Sequence, residues 1–102
     1  MDEVSRVLGD ILGVCMPEKV ILFAEKRTMS TRKLKSLSLC VIVGENENPR
    51  ALRTRMHLAV SVDVPVTLCV YTAEQWEELL EDESSYAAWI ARKGQVLYGP
   101  KT

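Results

Sequence analysis

Ser36-Leu37-Ser38-Leu39-Cys40-Val41-Ile42-Val43 alternates over its first half and is apolar over its second. Residues two apart on a strand project from one face. Ser36, Ser38 and Cys40 therefore share one side, and Leu37, Leu39 and Val41 the other. This segment is the strand around which the rest of the chain is read. Before it, Val20-Ile21-Leu22-Phe23 is a short buried strand, and the polar segment Glu25 to Lys35 between the two reads as a loop. After it, Gly44 to Asn48 forms a turn, and Asn48-Pro49 opens a helix with Asn as N-cap and Pro at the first helical position.

The spacing places Leu52, Met56, Ala59 and Val60 on the inward stripe of that helix, with Arg50, Arg53 and Arg55 pointing elsewhere. Val64 to Tyr71 is a third strand with Pro65 at its start, where a missing N–H donor is tolerated. Thr67, Cys69 and Tyr71 fall on one of its faces. Thr72-Ala73-Glu74-Gln75 is a capping box opening a short helix through Leu80. A last helix, expected to turn Tyr86, Trp89 and Ile90 inward, stops at Gly94, and Gln95 to Tyr98 adds a short edge strand. At the other end, Val4, Val7, Leu8, Ile11, Leu12 and Cys15 form a continuous helical stripe that Pro17 ends. The order is α-β-loop-β-α-β-α-α-β. It implies an α/β (α+β) fold, a small mixed sheet flanked by helices.

The 102 residues suit one domain spanning positions 1–102. Hydrophobic residues at 47% and charged residues at 26% are those of a globular protein, and 13 Lys+Arg against 14 Asp+Glu give a net charge of −1. That balance selects neither a nucleic-acid nor a membrane partner. No apolar run approaches the roughly 20 residues of a membrane span, and the acidic start Met1-Asp2-Glu3 is unlike a signal peptide. Cys15, Cys40 and Cys69 are scattered through apolar segments, the pattern of buried thiols in a reducing compartment. A cytoplasmic location is expected.

The segment Val20 to Val43, with Val64 to Tyr71 behind it, resembles the minimal nucleotidyltransferase domain of the DNA polymerase beta-like superfamily. Members of that family carry a strand ending in Gly-Ser, a basic turn containing glycine, a strand with Asp-x-Asp, and a third Asp on a later strand. Here the Gly-Ser pair is replaced by Ala24-Glu25. The basic turn keeps its character in Lys26-Arg27, and its closing glycine becomes Met29. The Asp-x-Asp positions fall on Ser36 and Ser38, and the third carboxylate position on Thr67. The ending, Thr72-Ala73-Glu74-Gln75-Trp76 and then Gly94-Gln95-Val96-Leu97-Tyr98-Gly99, is also similar. The resemblance thus covers nearly the whole chain in order and spacing, without its most diagnostic letters.

The replaced letters bear directly on chemistry. The family's reaction uses two divalent ions about 3.5–4 Å apart, clamping the attacking and leaving oxygens. Magnesium takes hard oxygen ligands, usually one or two carboxylates plus phosphates. The hydroxyls of Ser36, Ser38 and Thr67 offset none of that positive charge. Ala24-Glu25 also lacks the serine donor and the close backbone approach that a phosphate needs, and Glu25 is expected to set an anion against it. The resemblance therefore implies a degenerate nucleotidyltransferase with no catalytic residues, no metal site and no cofactor. It is expected to act as a protein-binding or assembly module, pairing with a small helical HEPN-type partner in a toxin–antitoxin arrangement, or with itself. Tight nucleotide binding is not expected. The alternative is an active or altered nucleotidyltransferase that moves a nucleotide from an NTP to a protein or small molecule, with a carboxylate such as Glu25 reaching the hydroxyl face.

Lys26, Arg27, Arg32, Lys33 and Lys35 form a basic run. It offers a binding surface for phosphate, nucleic acid or an acidic protein face, or is simply a solvated loop. No aromatic residue interleaves it, which disfavours single-stranded nucleic acid. Glu74, Glu77, Glu78, Glu81, Asp82 and Glu83 form an acidic counterpart, readable as helix-dipole complementation or as a contact for the basic run of another copy. His57, the only histidine, lies among arginines and reads as a helix-flank residue. The glycines form no phosphate-binding loop, and no serine or cysteine sits in a nucleophile motif. Trp76 and Trp89 read as core or interface residues.

Overall fold

A computed structural model describes residues 3–100; Met1 and Asp2 of the acidic start lie outside the described residues. The elements are α1 (Glu3–Leu12), β1 (Lys19–Arg27), β2 (Leu34–Val43), α2 (Pro49–Ala59), β3 (Val66–Thr72), α3 (Ala73–Leu80), α4 (Tyr86–Lys93) and β4 (Gln95–Tyr98). The strands form one sheet in the order β3-β2-β1-β4. β1 pairs antiparallel with β2 and with β4, while β2 and β3 run parallel. The sheet is mixed because β1 and β2 are joined by a short turn, whereas α2 carries the chain back so that β3 repeats the direction of β2. The fold is thus the small mixed sheet with flanking helices that the element order implies.

The alternation of β2 divides the interior in two. Leu37, Leu39, Val41 and Val43 face a core shared with Val7 and Ile11 of α1 and Leu52 and Met56 of α2. Cys40 and Ile42 face a second core with Ile21, Phe23, Trp76, Ala87 and Ile90. The sheet is therefore a middle layer, with α1 and α2 on one side and α3 and α4 on the other. A helix as short as α1 is marginal in isolation. Complete burial of Val7 and Ile11, at about 1.5–3 kcal/mol per side chain, holds it in place. Ser61 adds a tie, donating from its N–H and its hydroxyl to Asp10 Oδ2 at 3.0 Å each.

Local signals set the helix ends. Asn48 accepts from the N–H of Ala51 at 3.2 Å. Thr72 and Gln75 form the reciprocal capping box at 3.1 and 3.0 Å, and Ser85 caps α4 by accepting from the N–H of Ala88. Gly99, with φ 96°, turns the chain out of β4 where a Cβ would stand 2.3 Å from the carbonyl oxygen of Glu18. Glycine alone tolerates both the angle and the approach.

Three expectations are corrected. The polar segment Glu25 to Lys35 is not a loop: β1 runs on to Arg27 and β2 begins at Leu34, leaving a tight hairpin connection over residues 28–33. Ala59 is exposed, because the apolar side of α2 is spent on Leu52 and Met56. Of the three residues expected to turn inward on α4, Ile90 is buried, but Tyr86 and Trp89 are 56% and 38% exposed.

Candidate functional site

Only part of the sheet face beneath α3 and α4 is covered. Cys40 and Ile42 lie under the helices, whereas Ser36 and Ser38, earlier on the same strand and on the same face, are half-exposed. In the parallel β2–β3 pair Ser38 is matched with Thr67, itself exposed. Neighbouring strands lie about 4.8 Å apart, so these hydroxyls share one small floor. None of the three bonds to another protein group among the described residues.

The β1 side of this floor is set by a bulge. Leu22 pairs with Leu39, but Ala24 pairs with Ser38, leaving Phe23 as the extra residue. The bulge shifts the phase of the strand. Phe23 stays on the α3/α4 side, and Ala24 and Lys26, matched with Ser38 and Ser36, take that side too. Glu25 pairs with Leu37, so its side chain leaves by the opposite face, where its carboxylate holds Arg27 at 2.9 Å. The expectation that Glu25 lies against the hydroxyl positions is therefore corrected. The residue matched with Ser36 on β1 is the exposed Lys26.

The basic run is an arm rather than a loop. Lys26 and Arg27 end β1, Lys35 lies in β2, and Arg32 and Lys33 occupy the turn between them. Arg32 adopts a φ of 59°, and its carbonyl accepts from Arg27 Nη1 at 3.0 Å. The hydroxyls of Thr28 and Thr31 bond to each other across the turn. Lys33 donates its N–H to Thr28 at 3.1 Å. Met29, at the tip, is 97% exposed. The arm is thus internally fixed: Arg27 is held by Glu25 and the Arg32 carbonyl, while Lys26, Arg32, Lys33 and Lys35 are exposed.

Phe23, the bulge residue, carries an aromatic wall that the spacing of the sequence does not reveal. Tyr86 and Trp89 stack with ring centroids 5.6 Å apart and planes within 7°. Both stand edge-on to Phe23, at 5.8 and 6.2 Å. Such contacts add about 0.5–1.5 kcal/mol beyond the area they bury. Phe23 lies 63 positions before Tyr86, so only the packing of α4 on β1 could bring them together. The acidic segment Glu81-Asp82-Glu83 directly precedes this wall, with Asp82 turned back onto the N–H and hydroxyl of Ser84. Trp76, by contrast, is a core residue packed on Tyr71.

Two other features carry less chemistry. A cleft of about 820 Å³ opens between α2 and α3 beside Val70 and Tyr71, with Arg50 and Arg53 on one wall and Gln75 and Glu78 on the other. Cys40 and Cys69 face each other across β2 and β3. Burial pushes the Cys40 thiol up from 9.0 to about 12, with the neighbouring Cys69 adding to the effect. Burial also raises Cys69, although Arg53 opposes the shift. Neither thiol has the electropositive setting of a nucleophile.

The donor set does not fit a pair of dications. The floor presents neutral hydroxyls with a lysine beside them, and among the described residues no cluster of three or more His, Cys, Asp or Glu side chains is placed to hold a metal ion. No described helix is long and apolar enough to cross a membrane. Compared with protein-family models, curated proteins and solved structures, the chain has no significant match.

Proposed function

We propose that this chain is a nucleotidyltransferase-like domain without transferase activity that acts through protein contact, as an assembly module with a HEPN-type partner or with itself. One observation carries the reading. Ser36, Ser38 and Thr67 occupy adjacent positions on neighbouring strands, on one open face, and they are the positions to which the resemblance assigns the family's three carboxylates. Each of the three is a neutral hydroxyl.

Charge decides the chemistry. Two dications bring four positive charges, and the floor of Ser36, Ser38 and Thr67 offers no anion to offset them, with Lys26 paired to Ser36 on β1. Like charges 4 Å apart repel by about 4 kcal/mol at an effective dielectric of 20. The competing reading, residual or altered transfer, needs a carboxylate on the floor. Glu25, the candidate for it, leaves by the other side of the sheet and is held by Arg27. The exposed Tyr86–Trp89 pair packed on Phe23 supports protein contact, since aromatic side chains are enriched at such surfaces.

The test is incubation of the purified chain with labelled ATP and magnesium, alone and with cell extract. The expected result is no label above a heat-killed control in any protein or small molecule. Incorporation of labelled AMP would refute the reading.

A further inference from the structure

We propose that the free edge of β3 takes up an extended peptide segment of a protein partner, whose carboxylates meet Arg50 and Arg53 and whose apolar side chains meet Tyr71 and Leu79. The inference goes beyond the assembly-module reading. It shares with that reading only that the partner is a protein, and it uses none of the hydroxyls of the floor.

β3 ends the sheet, with β2 on one side and no described strand on the other. Leu37 of β2 donates its N–H to the carbonyl of Pro65, which sets the phase of the parallel ladder. Thr67, Cys69 and Tyr71 therefore turn their N–H and C=O groups toward β2, and Val66, Leu68 and Val70 turn theirs outward. No bond among the described residues occupies that outward side. Sheet edges are normally blunted by a charge, a proline or a bulge. β3 has none of these within it: Val66–Thr72 is uncharged and in unbroken register with β2, and Pro65 stands before it. The opposite edge, β4, is four residues long and irregularly paired.

The cleft of about 820 Å³ lies over this edge. Val70 and Tyr71 of β3 line it, with Arg50 and Arg53 of α2 on one wall and Glu78 and Leu79 of α3 on the other. α2 and α3 pack on opposite faces of the sheet, so a cleft lined by both straddles β3 where the strand has no neighbour. A strand added there continues the ladder into the cleft and alternates its side chains between the two walls. On the α2 wall they meet two exposed arginines, neither ion-paired among the described residues. On the α3 side they meet the half-buried Tyr71 and the partly exposed Leu79, with Glu78 repelling a carboxylate there. Acidic residues alternating with apolar ones satisfy both walls.

A second copy fits less well. Pairing β3 with itself about a two-fold axis sets α2 beside α2 on one face. The strand it supplies carries no carboxylate, so the arginines gain no anion.

The experiment uses the full chain and a capped synthetic peptide of seven residues, the length of β3, in which glutamate alternates with leucine. Fluorescence anisotropy gives the affinity and backbone NMR the place. Saturable binding is expected, with the largest amide shifts at Val66, Leu68 and Val70. Alternate backbone nitrogens of the peptide are then methylated, in each of the two phases. The phase that meets β3, and replacement of the glutamates by lysine, are each expected to weaken binding about tenfold or more. The double variant Arg50→Glu, Arg53→Glu, shown to be folded by circular dichroism, is expected to lose the glutamate peptide and to bind the lysine one. Four results would each overturn the proposal: no saturable binding, shifts confined to the basic arm, equal affinity for the two methylated forms, or a doubled mass on sedimentation with protection of the Val66, Leu68 and Val70 amides. The last would mean that a second copy holds the edge. None of these readouts is AMP transfer, so failure here leaves the non-catalytic reading standing, and label incorporation leaves the edge site standing.

Discussion

Ser38 and Thr67 stand opposite each other in the parallel β2–β3 pair, on the part of the sheet that α3 and α4 leave open. Both are neutral, and both are accessible. The geometry for a shared ligand is present without the charge that would attract a cation. Substitution by Asp at Ser36, Ser38 and Thr67 together should therefore create a magnesium site on this scaffold. The variant is expected to melt lower than the wild type without magnesium, since three carboxylates crowd one face, and to regain stability as magnesium is added. Calorimetric titration checks this. AMP transfer should stay near background, because Ala24 supplies no phosphate donor and Glu25 faces away.

Cys40 gives a pH dependence whose sign is fixed. Its thiol is held protonated in the fold up to about 12, against 9.0 for the ordinary group. The stabilisation is whole below pH 9 and is lost as pH rises from there toward 12, because the unfolded chain gives up a proton that the folded chain keeps. Urea melts across that window should show stability falling by about a kcal/mol per pH unit at most from this group. The Cys40→Ala variant should show a flatter profile.

The capping box at the start of α3 is open to a simple test. Thr72→Ala removes the acceptor for the Gln75 N–H and should cost about 1 kcal/mol, read as a lower urea midpoint with an unchanged slope. A core truncation such as Leu39→Ala should cost about 2–5 kcal/mol, since Leu39 is fully buried between the sheet and the α1/α2 layer. The gap between the two values separates a local cap from a residue at the centre of the fold.

Gly94 tests how closely α4 and β1 approach. A Cβ there would stand 2.3 Å from Ile21 Cγ2 and 2.6 Å from the carbonyl oxygen of Ile90. Gly94→Ala should therefore destabilise the protein by about 1–3 kcal/mol through overpacking, despite the higher helix propensity of alanine. It should also shift the fluorescence of Trp89, which α4 carries against Phe23. Thermal melts followed by fluorescence would record both.

Some of this architecture is written locally in the chain. The alternation from Ser36 to Val41 assigns the two cores, Asn48-Pro49 starts α2, and the Thr72–Gln75 box starts α3; each is a signal contained within a few residues. The hidden parts are those that depend on distant partners. Glu25, Lys26 and Arg27 have no apolar period and are strand only because β2 pairs with them. Plain alternation puts Glu25 on the side of Phe23, and the bulge that reverses this is a property of the pairing. Helical spacing places Tyr86 and Trp89 on the sheet side of α4 but says nothing of where the covered area stops. The positions of Ser36, Ser38 and Thr67 follow from strand spacing, whereas the lysine beside them and the aromatic wall emerge only from the assembled sheet.

A floor of three hydroxyls with no carboxylate does not hold a magnesium pair. Backbone NMR of the wild-type chain, titrated with magnesium in the presence of ATP, reads this at the floor itself. No saturable shifts are expected at Ser36, Ser38 or Thr67. Selective, saturating shifts at those three residues would contradict it.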